Sequence, residues 1–530
     1  MKKAALILVV LLLGGVMSFQ LRGQVIKNNG AYLRSSANAY TVFGGSGNLD
    51  IITTGGGETS LGNLKVDFTG DGTYKATIPA GSALEVTGNL YLNDSLVIEA
   101  SPSGHSRLKL GGTVTGSRAR VGQYLSSEQW HFVSSPVENA TIATYMNIYL
   151  MEWDEPSGQW NYLYYPVTLP LETGRGYSAW AANALTGSKT VWFRGLLNDS
   201  DVSKNLSYTV PGTYSGFHLV GNPFACDIAW NSSWGLTNVD PTMYMFDGAQ
   251  YKSWNFNLPP ELNTLSSNII PATQGFFVHA NNSGASITIP KSELVISTVP
   301  FYKNTLFVSD VTCKLKVKDP NGNEDQVVVF QMDGATEGFD NEWDAWKLSG
   351  SSDVPELWLA NGEDKLMVNA LPEIMKGTEV QLGLVSPAEG WHHFELINYQ
   401  TEGANLPLYL LDQQENELIR IDIGRRYDFW ATPENNTDRF RLVFGDPYTE
   451  TPGMADAMYV SVDDNSELHV FLENSGPSEI WVTDIMGRLI LHGKVEGNIR
   501  VSIPDNYRNQ WIIVRAYSNG VISTQKVFMP

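Results

Sequence analysis

The feature that most narrows what this chain can fold into is a sequence repeated within it. Trp130-His131-Phe132-Val133-Ser134-Ser135-Pro136-Val137 recurs as Phe217-His218-Leu219-Val220-Gly221-Asn222-Pro223-Phe224. Tyr149-Leu150-Met151-Glu152-Trp153-Asp154, then Trp160-Asn161-Tyr162, recurs as Met243-Tyr244-Met245-Phe246-Asp247, then Trp254-Asn255-Phe256. Gly174-Arg175-Gly176-Tyr177-Ser178-Ala179-Trp180 recurs as Thr273-Gln274-Gly275-Phe276-Phe277-Val278-His279. Three matches in one order, displaced by about ninety residues, predict two copies of one β-unit over residues 123–295, packed as a pair. Trp130 and Phe217 are then expected at equivalent buried sites. His131 and His218 recur together and could act as ligand or base. Their apolar strand neighbours favour a ring bonded to a backbone carbonyl.

The rest of the chain reads as β-structure too. Of 530 residues, 49 are Gly and 17% are charged, a balance that favours strands and turns, and the length implies about three to five domains. In residues 24–122, triplets such as Leu84-Glu85-Val86, Leu90-Tyr91-Leu92 and Leu108-Lys109-Leu110 are closely spaced between Gly, Asn and Asp. Runs this short suit rungs of a parallel β-solenoid stalk, each needing its neighbours to bury its apolar face. The enzymatic form of such a solenoid is a polysaccharide lyase, but no acidic or basic groove is readable here. Residues 296–446 alternate as a β-sandwich, 447–457 form a Pro- and Thr-containing linker, and 458–530 carry five short alternating runs of a small Ig-like β-sandwich. The fold class expected is therefore all-β.

The two ends speak to location. Lys2-Lys3 followed by the apolar run Ala4 to Leu13 and small residues reads as a signal peptide over residues 1–23. In the tail, Asp484-Ile485-Met486-Gly487-Arg488 separates two strand-like runs, Asn519-Gly520 favours a two-residue hairpin, and Lys526 stands near the end. On these marks the last seventy or so residues resemble the type A C-terminal sorting domain of the type IX secretion system of Bacteroidota. The resemblance implies delivery to the cell surface or medium across both membranes. It also implies, as partners, the secretion machinery and its sortase, removal of the tail, and attachment to surface lipopolysaccharide. The segment Ala335 to Asp340, continued by Trp343 to Lys347 and closed by Asp438-Arg439-Phe440, is similar to a module that often precedes such domains and has no activity to carry over.

Catalytic signatures are missing: there is no HExxH, no GxSxG and no phosphate loop. A formal net charge of −21 argues against nucleic acid as a partner. Cys226 and Cys313 fall in separate expected domains, either bridged or as buried thiols. Asp319-Pro320-Asn321-Gly322-Asn323-Glu324-Asp325 spaces oxygens as calcium loops do, with Asp319, Asn321, Asn323 and Asp325 as ligands. Asn321-Gly322 is equally an ordinary hairpin signal. Asp340, Glu342 and Asp344 alternate as a solvated acidic turn partly neutralised by Lys347. No other cofactor is implied. The function expected is a non-enzymatic adhesin, scaffold or binding protein meeting a glycan or protein ligand; its contact surface would be loops such as those carrying Trp153, Trp160, Tyr251 and Trp254, unless, as aromatic burial favours, most of these rings are core. The alternative is a carbohydrate-active protein that binds or cleaves glycans.

Overall fold

The computed structural model describes residues 25–297, 311–445 and 458–529, apart from residues 30, 55–57, 70–71, 165, 211, 213, 402–405, 434–437, 463–466, 473–476, 497–498, 509 and 519–520. The expected signal peptide and the 447–457 linker lie outside these. The protein is all-β: among the described residues the helical turns are short 3-10 pieces, and no helix is long and apolar enough to cross a membrane. Packing divides the chain into two units, Met1–Leu306 and Phe307–Pro530.

The first unit begins as a three-sided parallel solenoid. One side stacks Val25–Asn29, Leu49–Thr54, Lys75–Ile78 and Ser95–Ile98; the second stacks Tyr32–Arg34, Glu58–Leu61, Ala83–Val86 and Arg107–Leu110; the third stacks Tyr40–Gly45, Asn63–Phe68, Leu90–Leu92 and Val114–Thr115. Registered partners place like residues above one another inside, as in Leu61, Val86 and Leu110, or Leu64, Leu90 and Val114, all buried. One corner explains why Gly-Asn recurs. Gly88 N–H donates to Gly62 O and Gly112 N–H to Gly88 O, each at 2.9 Å, and a Cβ on Gly62 would lie 2.1 Å from Ser36 O. The next residue builds a ladder, with Asn89 N–H donating to Asn63 Oδ1 at 2.8 Å and Thr113 N–H to Asn89 Oδ1 at 3.0 Å. The strand Ala119–Leu125 ends the stack. It pairs parallel with Ser95–Ile98 but antiparallel with Lys189–Gly195, so it runs through the boundary expected at 122/123 and fuses the solenoid to the duplicated region.

The duplicated region holds two four-stranded antiparallel sheets with one strand order. The first runs Trp130–Val133, Tyr177–Trp180, Tyr149–Asp154, Gln159–Tyr162; the second runs Phe217–Gly221, Gly275–Ala280, Val239–Phe246, Tyr251–Asn255. They clasp each other reciprocally. Val133 bridges Gln274 while its counterpart Val220 bridges Arg175. Ser134 N–H donates to Thr273 O at 2.8 Å while Gly221 N–H donates to Gly174 O at 3.1 Å. Thr273 and Gly174 both take positive φ, +63° and +75°. Where the copies approach closely, a Cβ on Gly176 would sit 2.6 Å from Leu219 Cγ, and one on Gly275 3.1 Å from Phe132 Cβ. The repeated motifs are thus interface motifs, each copy using the same patch against the other as in an isologous dimer.

Rings fill the seam. Phe132 of the first copy packs against Phe246, Tyr251 and Phe277 of the second, and Trp153 Nε1 donates to Phe217 O at 2.7 Å. Trp153 and Trp160 lie 5.3 Å apart, both against Phe277, and Trp254 is buried. Of the rings weighed as exposed contact surface or as core, Trp153, Trp160 and Tyr251 are packing between the copies, where two sheets exclude water from them, and Trp254 belongs to the core of the second copy. Trp130 and Phe217 differ: Phe217 is buried beside Tyr244, Phe277 and His279, whereas Trp130 is half-buried against Trp180.

In the second unit one mixed sheet runs from Glu417–Ile421 through Leu408–Asp412, Phe440–Phe444, Glu379–Val385, Glu356–Asn361, Asp364–Leu371, Glu324–Gln331, Val311–Lys318 and Gly390–Thr401 to Arg426–Ala431. Its two ends meet. Arg439 Nη2 and Nε grip the buried Asp412 carboxylate at 2.7 and 3.0 Å, and Tyr427 Oη, from the last strand, donates to the same carboxylate at 2.9 Å. Phe394, Phe429 and Phe440 stack inside. The acidic alternation is not a solvated turn. Asp344 is buried, accepting from Ala370 N and Asp340 N, and Lys347 is buried against Asp325 instead. The C-terminal part is a sandwich of Met458–Val462, Glu467–Leu472 and Ile499–Ser502 over Leu489–Glu496, Pro477–Asp484, Gln510–Ser518 and Val521–Met529. Its inward positions, among them Val460, Leu468, Ile480, Val482, Ile512 and Val514, are buried as strand alternation requires. Trp391 of the larger sheet stacks on Phe528 at 5.2 Å and meets Trp511 at 6.0 Å, which seats the sandwich.

Candidate functional site

The residues that mark the tail gather at a turn. Asp484 ends one strand, and its Oδ1 accepts from Met486 N and Arg488 N, both at 2.9 Å, while Oδ2 accepts from Arg488 Nε at 2.6 Å. Backbone bonds from Asp484 N to Arg488 O and from Gly487 N to Asp484 O close the loop. Gly487 at φ +80° makes the reversal, a conformation that costs other residues more. The Arg488 amide first, and then its guanidinium, hold the Asp484 carboxyl below its ordinary value. The loop leaves apolar side chains facing water: Ile485 and Leu489 are exposed and Met486 is 79% exposed.

The other marks lie elsewhere on the same sheet. Asn519 and Gly520 are outside the described residues; the hairpin strands Gln510–Ser518 and Val521–Met529 pair as far as Ser518 and Val521. Asp484 is in register with Ile512 and Ser478 with Ser518, so the Asp484 turn and this hairpin sit at opposite ends of the sheet. Lys526 is exposed on the edge strand, its Nζ 4.3 Å from the Trp511 ring centre.

The loop singled out for calcium is built the same way. Asp319 Oδ1 accepts from Asn321 N at 2.9 Å and Asn323 N at 2.8 Å, and Oδ2 accepts from Asn323 Nδ2 at 3.0 Å. Asp319 N–H donates to Asn323 O, Gly322 N–H to Asp319 O, and Gly322 has φ +89°. Asp325 faces away from this cluster, taking Lys347 Nζ and, at 2.7 Å, Leu357 N. Asp319, Asn321 and Asn323 thus come together as a hairpin turn, and Asp325 joins a buried ion pair. Among the described residues no group of three His, Cys, Asp or Glu side chains could hold a metal ion.

Pairs with a catalytic look are satisfied internally. His131 Nε2 bonds Ser126 O at 3.0 Å and His218 Nε2 bonds Ser207 O at 2.8 Å, equivalent roles in the two copies, and burial lowers both imidazoles. Ser386 Oγ lies 2.7 Å from His392 Nε2, but His392 Nδ1 meets the Gly390 carbonyl and both residues are fully buried, so no substrate can reach the hydroxyl. Cys226 and Cys313 are free and buried, with burial pushing both thiols up, which suppresses the nucleophilic thiolate.

Residues 237–444 match the family described as Domain of unknown function (DUF8693). The Minor fimbrium subunit Mfa5 of Porphyromonas gingivalis is 25% identical over 372 residues, 63% of this chain but 29% of that protein. The chain therefore spans under a third of that relative's length. Among solved structures, a biofilm associated protein BSP domain aligns over 77% of this chain and 92% of its own at 9% identity, with a TM-score of 0.16. A tetra-tandem repeat from the extending region of a large adhesion protein aligns over 76% and 95% at 11% identity, with a TM-score of 0.11.

Proposed function

We propose that this chain is a non-enzymatic surface protein of a Bacteroidota cell, an adhesin or fimbria-associated component, exported through the type IX secretion system by its C-terminal sandwich. The observation that carries the reading is the similarity to a minor fimbrium subunit. The compact turn at Asp484–Arg488, with its apolar tip held out to solvent, supports the export part, since it gives a receptor something rigid to grasp. The satisfied histidines and buried thiols support the absence of catalysis. In this reading residues 1–23 take the chain through the inner membrane. The sortase then removes the tail and the remainder is joined to lipopolysaccharide.

Cell fractionation of a type IX-competent host expressing the chain with and without residues 458–530 tests this. The full chain should reach the surface and the truncated one should stay in the periplasm. Equal surface amounts of both would refute the export reading.

A further inference from the structure

The two copies of the duplicated unit differ at their outermost strands, Gln159–Tyr162 and Tyr251–Asn255. In the first copy Trp153 pairs with Trp160 and Met151 with Tyr162; in the second Phe246 pairs with Tyr251 and Tyr244 with Ser253, so Tyr162 and Ser253 hold the same place. Leu163 N–H donates to Leu150 O at 2.9 Å, and the alternation of an antiparallel ladder then turns the N–H and C=O of Tyr162 away from the sheet. Ser253 is turned the same way, and there the chain covers its own edge. Ser253 N–H donates to Thr264 Oγ1 and Leu265 N–H to Ser253 O, both at 2.8 Å, while Asn255 N–H donates to Asn263 Oδ1 at 2.6 Å. Residues 258–265 are thus strapped along the strand, with Leu258, Leu262 and Leu265 buried. In the first copy the chain beyond Tyr164 leads elsewhere: Leu169 O accepts from Ile142 N–H, and Leu171 N–H donates to Ala140 O. Among the described residues nothing bonds the outward N–H and C=O of Tyr162.

The side chains repeat the contrast. Trp130, Trp180 and Tyr149 stand in one cross-strand row, and Tyr162 faces the same way. Tyr149 is 43% exposed, Tyr162 48% and Tyr164 61%, whereas Thr242, Ser253 and Asn255 in the corresponding places are buried. Tyr162 and Tyr164 stack with ring centres 5.5 Å apart. An open strand edge flanked by exposed rings is a template for another strand, and the second copy shows the chemistry that covers such an edge here: an extended, leucine-bearing segment with a side-chain oxygen for the outward N–H. We propose that the edge Gln159–Tyr162, together with Tyr149 and Tyr164, binds an extended segment of a partner polypeptide in the manner that residues 258–265 cover the second copy. This assigns a partner class to the adhesin reading, and because the purified chain binds or does not bind however it is exported, the two can fail separately.

Saturation-transfer NMR on the full chain tests it, with two probes at millimolar concentration: the acetylated and amidated peptide of residues 258–265, and maltotriose. The peptide should bind. Tyr162→Ser, which gives the first copy the residue of the second, removes the exposed ring and should weaken binding about tenfold. Tyr162→Pro also removes the outward N–H, a change an edge strand tolerates because that N–H takes no part in the ladder, and should bring binding below detection. Both variants should melt with the wild type; if Tyr162→Pro melts earlier, Tyr162→Ser decides. No peptide binding would overturn the proposal, and so would peptide binding indifferent to Tyr162→Ser. Maltotriose bound at least as tightly as the peptide would overturn it as well, in favour of a glycan surface.

Discussion

Two turns in the second unit, Asp319–Asn323 and Asp484–Arg488, have the same backbone bonds, the same carboxylate accepting from the second and fourth residues on, and glycine at positive φ in the fourth place. One has the spacing of a calcium loop and the other the look of a sorting mark. Their common geometry shows that Asp-x-x-Gly here is a way of reversing a strand, so neither reading can rest on the turn alone. What distinguishes them is what the turn presents. The first holds Pro320 and Asn321 at its tip and leads into Asp325, buried against Lys347. The second holds out Ile485 and Met486 on a rigid base.

The largest effect expected is on the first turn. Asp319→Ala removes the acceptor of two backbone N–H groups and of Asn323 Nδ2 and should destabilise the surrounding strands by about 1–3 kcal/mol. Hydrogen exchange in Val311–Lys318 and Glu324–Gln331 of the full chain would read this out, and unchanged protection would mean the side chain is not what closes the turn. Next comes a transplant: Ile485→Pro with Met486→Asn gives the second turn the tip of the first. Shared geometry predicts an unchanged fold, while surface export should fall severalfold if the tip is what the machinery meets. Export at the wild-type level would move recognition to other parts of the sheet.

The smallest effect is in pH dependence, and the sign separates Asp484 from another buried acid of the second unit, Asp344. Asp484 is depressed below its ordinary value near 3.8, so its contribution is complete above that pH and is lost as pH falls through the lower folded value. Asp344 is raised to about 7, by burial first and by the Asp340 charge last, against the bonds from Ala370 and Asp340 N–H. Its contribution is complete below about 3.8 and is lost as pH rises through about 7. Exchange protection, corrected for intrinsic rates, should therefore drop on acidification at 484–488 and on alkalinisation at 340–344. The same direction at both would contradict this assignment.

Much of the fold is legible in the sequence because it is written in local period. Short apolar triplets between Gly and Asn state a solenoid, and repeated motifs state a repeated unit. The reciprocal clasp is harder to see: Gly176 and Gly275 recur visibly, but only packing shows that each makes room for the other copy. Whether the ring cluster is exposed or core stays open in the sequence, because strand alternation marks which face a side chain takes and not whether a second sheet covers that face. Asp344 reads as solvated because its burial comes from Ala370 N and Asp340 N closing over it, a tertiary fact.

The most direct test of export through the tail fuses a signal peptide to a folded reporter followed by residues 447–530 and asks, by protease accessibility on intact type IX-competent cells, where the reporter stands. Recognition of the sandwich predicts a surface-exposed reporter, with the same fusion carrying Asp484→Ala retained inside the outer membrane. A reporter that stays in the periplasm with the unaltered tail would contradict it.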